Sequence, residues 1–534
     1  MKGIITAPQP EAVEAGAEVL AAGGNAVDAA VACALTQTAV DPIMCGVAGF
    51  GSMHVYMPGA GIHQCLDFHG RAPLAVRPDM WEDIVLGEAD DGFGFILKGA
   101  VNEIGYQSIM TPMTLRALDT ALRRFGTRSL AELIQPAIHY AEEGYKVRPH
   151  MSAFFNEGAA MGRVAHVEYL TRFPATRRIY GRGEGIVKLG EVLKNPDMGR
   201  TYRRIAEHGV DDFYTGAIAA EIVADMERGG GLIGAEDLAQ VAPTEAAPLW
   251  GTYRGHRVAT NNPPGGGVMI LEMLNILENF DLAAMGHNSP DYVATVSEAM
   301  KIATVDKDQK VGDPSFVDVP VAELTSKDYG AKMAERIRSG RKTHVPRLNA
   351  GGEESKETTH ICVVDAQGNC VSVTHSIGMP SGVVTEGLGF MYNGCMGVFD
   401  PRPGRAGSLA PGKARFTAMC PTILFDGQDP WFVIGAPGGT YITMGVLQGI
   451  LNAVDFGMNA QEAVAAPRFC TTSDTIDITN RILRRTEAAL VERGYPVRRS
   501  ALGYHFAGVH ALRRTAAGWD GGADPGRDGM AMAV

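Results

Sequence analysis

Nowhere in this sequence do two cysteines stand in CxxC spacing. The eight that occur, at 33, 45, 65, 362, 370, 395, 420 and 470, are scattered singly, which removes the usual basis for a zinc cluster or a compact disulfide framework and leaves reduced, buried thiols as the expectation. There is no HExxH and no His/Cys cluster, so no metal and no cofactor are expected. Blocks of basic residues are missing too. With a net charge of −12, the sequence argues against binding nucleic acid or an anionic membrane surface, and a small anionic substrate would need positive groups gathered locally.

Long apolar runs are equally scarce. The opening MKGIITAPQPEAVEAG has neither an apolar h-region nor a small-residue cleavage site, so it does not read as an export signal, and a cytoplasmic protein is expected. Ala29 to Val40 is the most apolar stretch, yet it is too short to span a bilayer and carries Thr36, Gln37 and Thr38, so it reads as a core helix and no membrane is expected. Two glycine-rich stretches lack what a nucleotide site needs. Gly46, Gly49 and Gly51 have dinucleotide-fingerprint spacing without a preceding strand, and NNPPGGGVMILEMLNILENFD, 261 to 281, feeds an apolar helix without the Lys-Ser/Thr ending of a P-loop.

What is present is a chain of 534 residues, 46% hydrophobic, enough for one large core or several. Pro10 to Leu35 reads as a helical hairpin broken at Ala22 to Asn25, and Met110 to Pro149 as two amphipathic helices joined at Gly126. Ser326 to Glu357 is polar and charged and reads as a long stretch without regular structure, which inside a compact domain points to a functional segment.

The most informative stretch is KETTHICVVDAQGNCVSVTHSIG, Lys356 to Gly378. Two apolar runs, Ile361 to Val364 and Cys370 to Val373, flank the turn-forming residues Asp365 to Asn369, a β-hairpin pattern. If the turn is centred on Gln367, equal offsets pair across the hairpin and Thr358 lies opposite Ser376. A threonine hydroxyl needs a base to become a nucleophile, and it has one at hand in its own α-amine once the preceding peptide bond is cut. Paired hydroxyl residues also simply suit a pleated sheet. The pattern alone leaves both readings open.

The TTH at 358 to 360, VVDAQGN at 363 to 369 and APGGT at 436 to 440 resemble the γ-glutamyltransferase family of N-terminal-nucleophile hydrolases. Further segments resemble it in the same order: GGNAVDAAVACALTQTAVDP (23 to 42), GVAGFGSMHVY (46 to 56), LKNPDMGRTYRRIAEHGVDDFYTG (193 to 216) and GGLIGAEDLA (230 to 239). The resemblance implies an α+β, four-layer αββα sandwich. It implies self-cleavage between Glu357 and Thr358, giving fragments 1 to 357 and 358 to 534 that stay associated as one fold, with the tail of the larger fragment free to swing from the site. Thr358 would be nucleophile and, through its amine, base; Ser376 would orient it; Gly438 and Gly439 would form the oxyanion hole.

Substrate contacts are implied at His69, Arg71, Asn393, Thr417 and Tyr441. The family's carboxylate-clamping arginine falls at His69, with Arg71 two residues on, and a neutral histidine cannot make the guanidinium's paired hydrogen bonds. The segment EGLGFMYNGCMGVFD, 386 to 400, lacks the acid that would hold a substrate amine, Gly378 replaces a residue that is usually Asn, and FTAMCPT keeps Thr417 but has Ala418 in place of a paired serine. The connection from Asp400 to Phe416 looks shorter than the family's lid-bearing loop. The expected partner is a small-molecule amide. Three readings follow: a γ-glutamyl hydrolase or transferase, an acylase of the same chemistry with another acyl group, and a non-catalytic binding protein, against which the intact Thr358, Ser376, Gly438 and Gly439 argue.

Overall fold

The computed structural model describes residues 1–89, 92, 94–159, 163–347 and 358–534. Thirteen strands build two stacked sheets. In chain order they are β1 (Gly3–Ala7), β2 (Phe50–Met57), β3 (Ile62–Phe68), β4 (Thr244–Ala246), β5 (Leu249–Tyr253), β6 (His256–Thr260), β7 (Thr359–Asp365), β8 (Cys370–Ser376), β9 (Thr422–Asp426), β10 (Asp429–Gly435), β11 (His510–Thr515), β12 (Gly518–Ala523) and β13 (Met530–Ala533). The seven-stranded sheet runs β4-β3-β2-β8-β7-β1-β13 and the six-stranded sheet β5-β6-β9-β10-β11-β12. Helices Pro10–Ala21 and Ala26–Val40 cover the outer face of the first sheet; Gly267–Leu277, Ile442–Val454 and Ala460–Ala465 cover the second. This is the expected αββα sandwich.

Strand periodicity explains the layering. In β7, Ile361 and Val363 join the core beneath the helices, while Cys362 and Val364 pack between the sheets with Ile423, Val433 and Leu512. Successive side chains point to opposite faces, so a strand covered on both sides reads as a continuous apolar run. The β7–β8 register pairs Thr359 with His375 and Val364 with Cys370. Thr358 therefore comes opposite Ser376, as a turn centred on Gln367 requires.

Asp365 fixes that turn. One carboxylate oxygen accepts from Gln367 N (2.9 Å) and Asn369 N (3.0 Å), and the other from Asn369 Nδ2 (2.7 Å) and Ala26 N (2.9 Å). The last bond ties the hairpin to the start of helix Ala26–Val40, every residue of which is buried. Asn25 caps that helix by accepting from Val27 N and Asp28 N, and Asp28 accepts in return from Asn25 N. The helical hairpin thus breaks where expected.

Two expectations need correction. The stretch after Gly126 is not one helix: Leu130–Leu133 and Gln135–Glu143 are separated at Ile134, because Pro136 has no N–H to continue the preceding turn. Nor is Ser326 to Glu357 without regular structure. Ser326 caps a helix, Lys327–Arg338, packed on Gly267–Leu277, and the chain beyond it is anchored by Thr343 N to Glu298 (2.7 Å), Val345 N to Asp474 (2.8 Å) and Arg347 Nη2 to Thr472 O (2.6 Å). Up to Arg347 the tail is held by these bonds; residues 348–357, where the expected cleavage falls, lie outside the described residues.

Asp365→Ala removes four buried acceptor contacts at once. It is expected to destabilise the protein by about 2–4 kcal/mol, measured as a lowered midpoint in chemical denaturation.

Candidate active site

Thr358 heads β7 and Ser376 ends β8. Thr358 Oγ1 donates to Ser376 Oγ at 3.2 Å; Ser376 Oγ also accepts from Gly378 N (2.7 Å) and donates to Met44 O (3.3 Å). These bonds leave Ser376 little rotational freedom. Glu357, the other side of the expected cleavage bond, lies outside the described residues.

On the helical side of β7 and β8, polar side chains form a raft. Gln37 donates to Thr359 Oγ1 and Gln9 Oε1, each at 2.8 Å, and its own Oε1 meets His375 Nε2 at 2.8 Å. Burial pushes His375 down to about 3 and takes His360 well below the ordinary imidazole value, so both stay neutral near pH 7. They support the strands.

Thr358 and Ser376 open onto a cavity of about 640 Å³, whose lining also includes Gly378, Gly439, Thr440 and Thr417. Gly439 arrives from the second sheet: β10 leads into the loop at 436 to 438, a short 3-10 turn (Gly439–Tyr441) and helix Ile442–Val454. The helix proper begins at Ile442, after the 3-10 turn. Gly438 has φ 140°, and a Cβ there would lie 2.6 Å from Ala507 Cα. Only glycine fits this crossing.

Other expected contacts fall elsewhere. Asn393 is buried and spends its amide on backbone: Nδ2 donates to Ala48 O (2.9 Å) and Met110 O (2.8 Å), and Oδ1 accepts from Met110 N (2.9 Å). Tyr441 is buried with its hydroxyl donating to Asp477 at 2.8 Å. His69 lies against Asp67 (3.4 Å), and Arg71 donates to Gly412 O (3.3 Å) and Thr244 Oγ1 (3.5 Å). None of the four lines the cavity. Asn393, Tyr441 and Arg71 have their polar groups bonded to the fold itself, whereas the ring nitrogens of His69 are buried without a hydrogen bond among the described residues.

The cavity's cations come from residues that sequence reading missed. Arg347 pairs with Asp308 (2.6 Å) and Glu88 (3.5 Å), Lys307 pairs with Asp308, and Arg402 and Arg405 pair with Asp400 at 2.7 and 3.6 Å. The short connection from Asp400 is a pinned rim, with Asp400 N bonded to Gly407 O and Leu409 N to Asp400 O. Arg415, buried at 5% exposure, also lines the cavity, and desolvation lowers its pKa. It is placed by long-range pairing: Ala414 bridges Arg71, and Arg415 N bonds to Gly70 O. No local pattern signals that.

Two antiparallel sheets between helical layers, with a threonine at the head of a central strand facing a cavity, define the N-terminal-nucleophile hydrolase class. The sequence profile described as Gamma-glutamyltranspeptidase matches residues 12–534. The acylase ACY 1 proenzyme of Pseudomonas sp. (strain V22) is 37% identical over 93% of this chain and 88% of its own, and the glutathione hydrolase proenzyme of Escherichia coli (strain K12) 33% identical over 88% and 80%. The crystal structure of cephalosporin acylase from Bacillus halodurans superposes with a TM-score of 0.87 at 29% identity, covering 100% of this chain and 96% of that one. The chain belongs to the gamma-glutamyltranspeptidase family.

Gly378 has a specific reason to be glycine. Its φ is +67°, and a Cβ there would lie 1.6 Å from Cys395 Sγ but 3.4 Å from Cys395 Cβ. Gly378→Ala is expected to lower the thermal midpoint, and the double variant Gly378→Ala/Cys395→Ala to recover part of that loss. Double-mutant-cycle midpoints measure the coupling.

Proposed function

We propose that the chain matures by cutting its own Glu357–Thr358 bond and then works as an amidohydrolase or acyltransferase on the new N-terminal Thr358. The 3.2 Å contact between Thr358 Oγ1 and Ser376 Oγ at the cavity wall, with Gly439 on the same cavity, carries this reading. In the precursor the Thr358 hydroxyl attacks the Glu357 carbonyl, and water hydrolyses the resulting ester, leaving 1–357 and 358–534 associated. The two fragments share both sheets, since β1 to β6 belong to one and β7 to β13 to the other.

In the mature enzyme the α-amine of Thr358 takes the hydroxyl proton as the oxygen attacks the substrate amide. Backbone N–H groups of Gly438 and Gly439 hold the oxyanion, and water or an amine then releases the acyl group. Among the described residues lining the cavity there is no histidine, and the three carboxylates, Glu88, Asp308 and Asp400, are each paired with a cation. The amine of Thr358 is the base within reach.

For the acyl group, γ-glutamyl is the first reading. The placement of His69 and Arg71 off the cavity, and of Asn393 within backbone bonds, favours the acylase alternative, which the similarity to acylases also supports. A cytoplasmic location remains part of the proposal: the eight cysteines are scattered singly along the chain and buried, as suits a reducing compartment, and cell fractionation tests it.

An intact-mass time course on purified protein, with sequencing of the small fragment, is expected to give a fragment starting at Thr358, absent in Thr358→Ala. A wild-type chain that stays whole overturns the mechanism and favours the binding-protein reading. In the processed enzyme, Ser376→Ala is expected to lower kcat roughly 10- to 100-fold, the effect of losing one orienting hydrogen bond.

A further inference from the structure

Arg415 is the cavity-lining cation that no carboxylate accompanies. Among the described residues, no carboxylate lies within ion-pairing distance of it, whereas Lys307, Arg347, Arg402 and Arg405 each have one. Its Nη1 donates only to the neighbouring Phe416 O at 3.3 Å, and its Nε has no acceptor. A buried guanidinium left in this way is costly unless an anion completes it.

Its position ties it to the reacting pair. The guanidinium carbon lies 4.5 Å above the Phe50 ring, and Phe50 is the strand partner of Ser376. The space above Gly378 abuts the same ring, 3.4 Å from a Cβ built there. Arg415 therefore shares the cavity wall with the nucleophile pair and with Gly378, next to the Phe50 ring. A guanidinium held over a ring keeps its planar fork of donors available, and that fork matches a carboxylate.

We propose that Arg415 anchors a carboxylate carried by the acyl group of the substrate and so sets the acyl specificity of the Thr358 site, a reading that rests on Thr358 being the nucleophile. The carboxylate is either the α-carboxylate of a γ-glutamyl group or the terminal one of a dicarboxylic half-amide. A substrate ammonium finds no unpaired acid among the described cavity residues, so it is not required.

The test uses processed enzyme, first shown by mass to carry Thr358 at the small fragment's N-terminus; absence of that fragment counts against the nucleophile reading and not against Arg415. Three five-carbon acyl p-nitroanilides are compared: γ-glutamyl, glutaryl and pentanoyl. Wild type is expected to favour at least one carboxylate-bearing substrate over pentanoyl by about 30-fold or more in kcat/KM. Whichever of the two is faster identifies the source of the carboxylate. In Arg415→Met that ratio should collapse by a similar factor, mainly through KM, and Arg415→Lys should restore part of it. An unchanged ratio in Arg415→Met overturns the proposal, whatever the absolute rates. So does a wild type that turns over pentanoyl as fast as both charged substrates, a measurement that stands even if the Met variant does not fold.

Discussion

The register of the β7–β8 hairpin is the constraint on which the rest of this structure depends. Side chains along a strand alternate with a period of two, so a slip of one residue would move every side chain of β7 to the opposite face. Thr358 would leave the cavity, Thr359 would leave its bonds to Gln37, and Cys362 and Val364 would exchange places with Ile361 and Val363. Asp365 holds the register from the turn end, and it does so jointly with the N-terminus of helix Ala26–Val40. The position of Thr358 is thus fixed by contacts at the far end of its own strand.

A second consequence is that polarity is segregated. The raft of Gln9, Gln37, Thr359 and His375 sits on the helical side of the first sheet, its members joined by hydrogen bonds and Gln9 reaching on to Asp41, with its histidine kept neutral by burial. The charged groups collect on the cavity walls instead, mostly as paired ions. The raft holds the strand ends through hydrogen bonds. The cavity side carries the electrostatics that a substrate meets.

The wall is assembled from distant parts of the chain. Lys307 and Asp308 come from the long helix Pro290–Lys310, Arg347 from the anchored tail, Asp400 to Gly407 from the rim, and Arg415 from a segment laid along the end of β3. Arg71 illustrates the point. It is near the right place in sequence for a carboxylate clamp, but its backbone pairs with Thr111 and Ala414 while its side chain turns to Gly412 and Thr244. That pairing delivers Arg415 to the cavity.

Local pattern alone determined a good deal here. Two continuous apolar runs and a turn rich in Asp, Gly and Asn specify the hairpin and its register, and the capping residues Asn25 and Asp28 specify the break between the first two helices, because these depend on neighbours within a few residues. Motif spacing carried the family and, with it, the sandwich. Of the implied substrate contacts only Thr417 reaches the cavity; Asn393, Tyr441 and Arg71 had the right chemistry and the tertiary fold occupied it with internal hydrogen bonds, while His69 lies off the cavity beside Asp67. Arg415 had no local signature at all. Which polar side chain is spent on the fold and which is left facing a cavity is a property of long-range packing, and only the tertiary structure decided it.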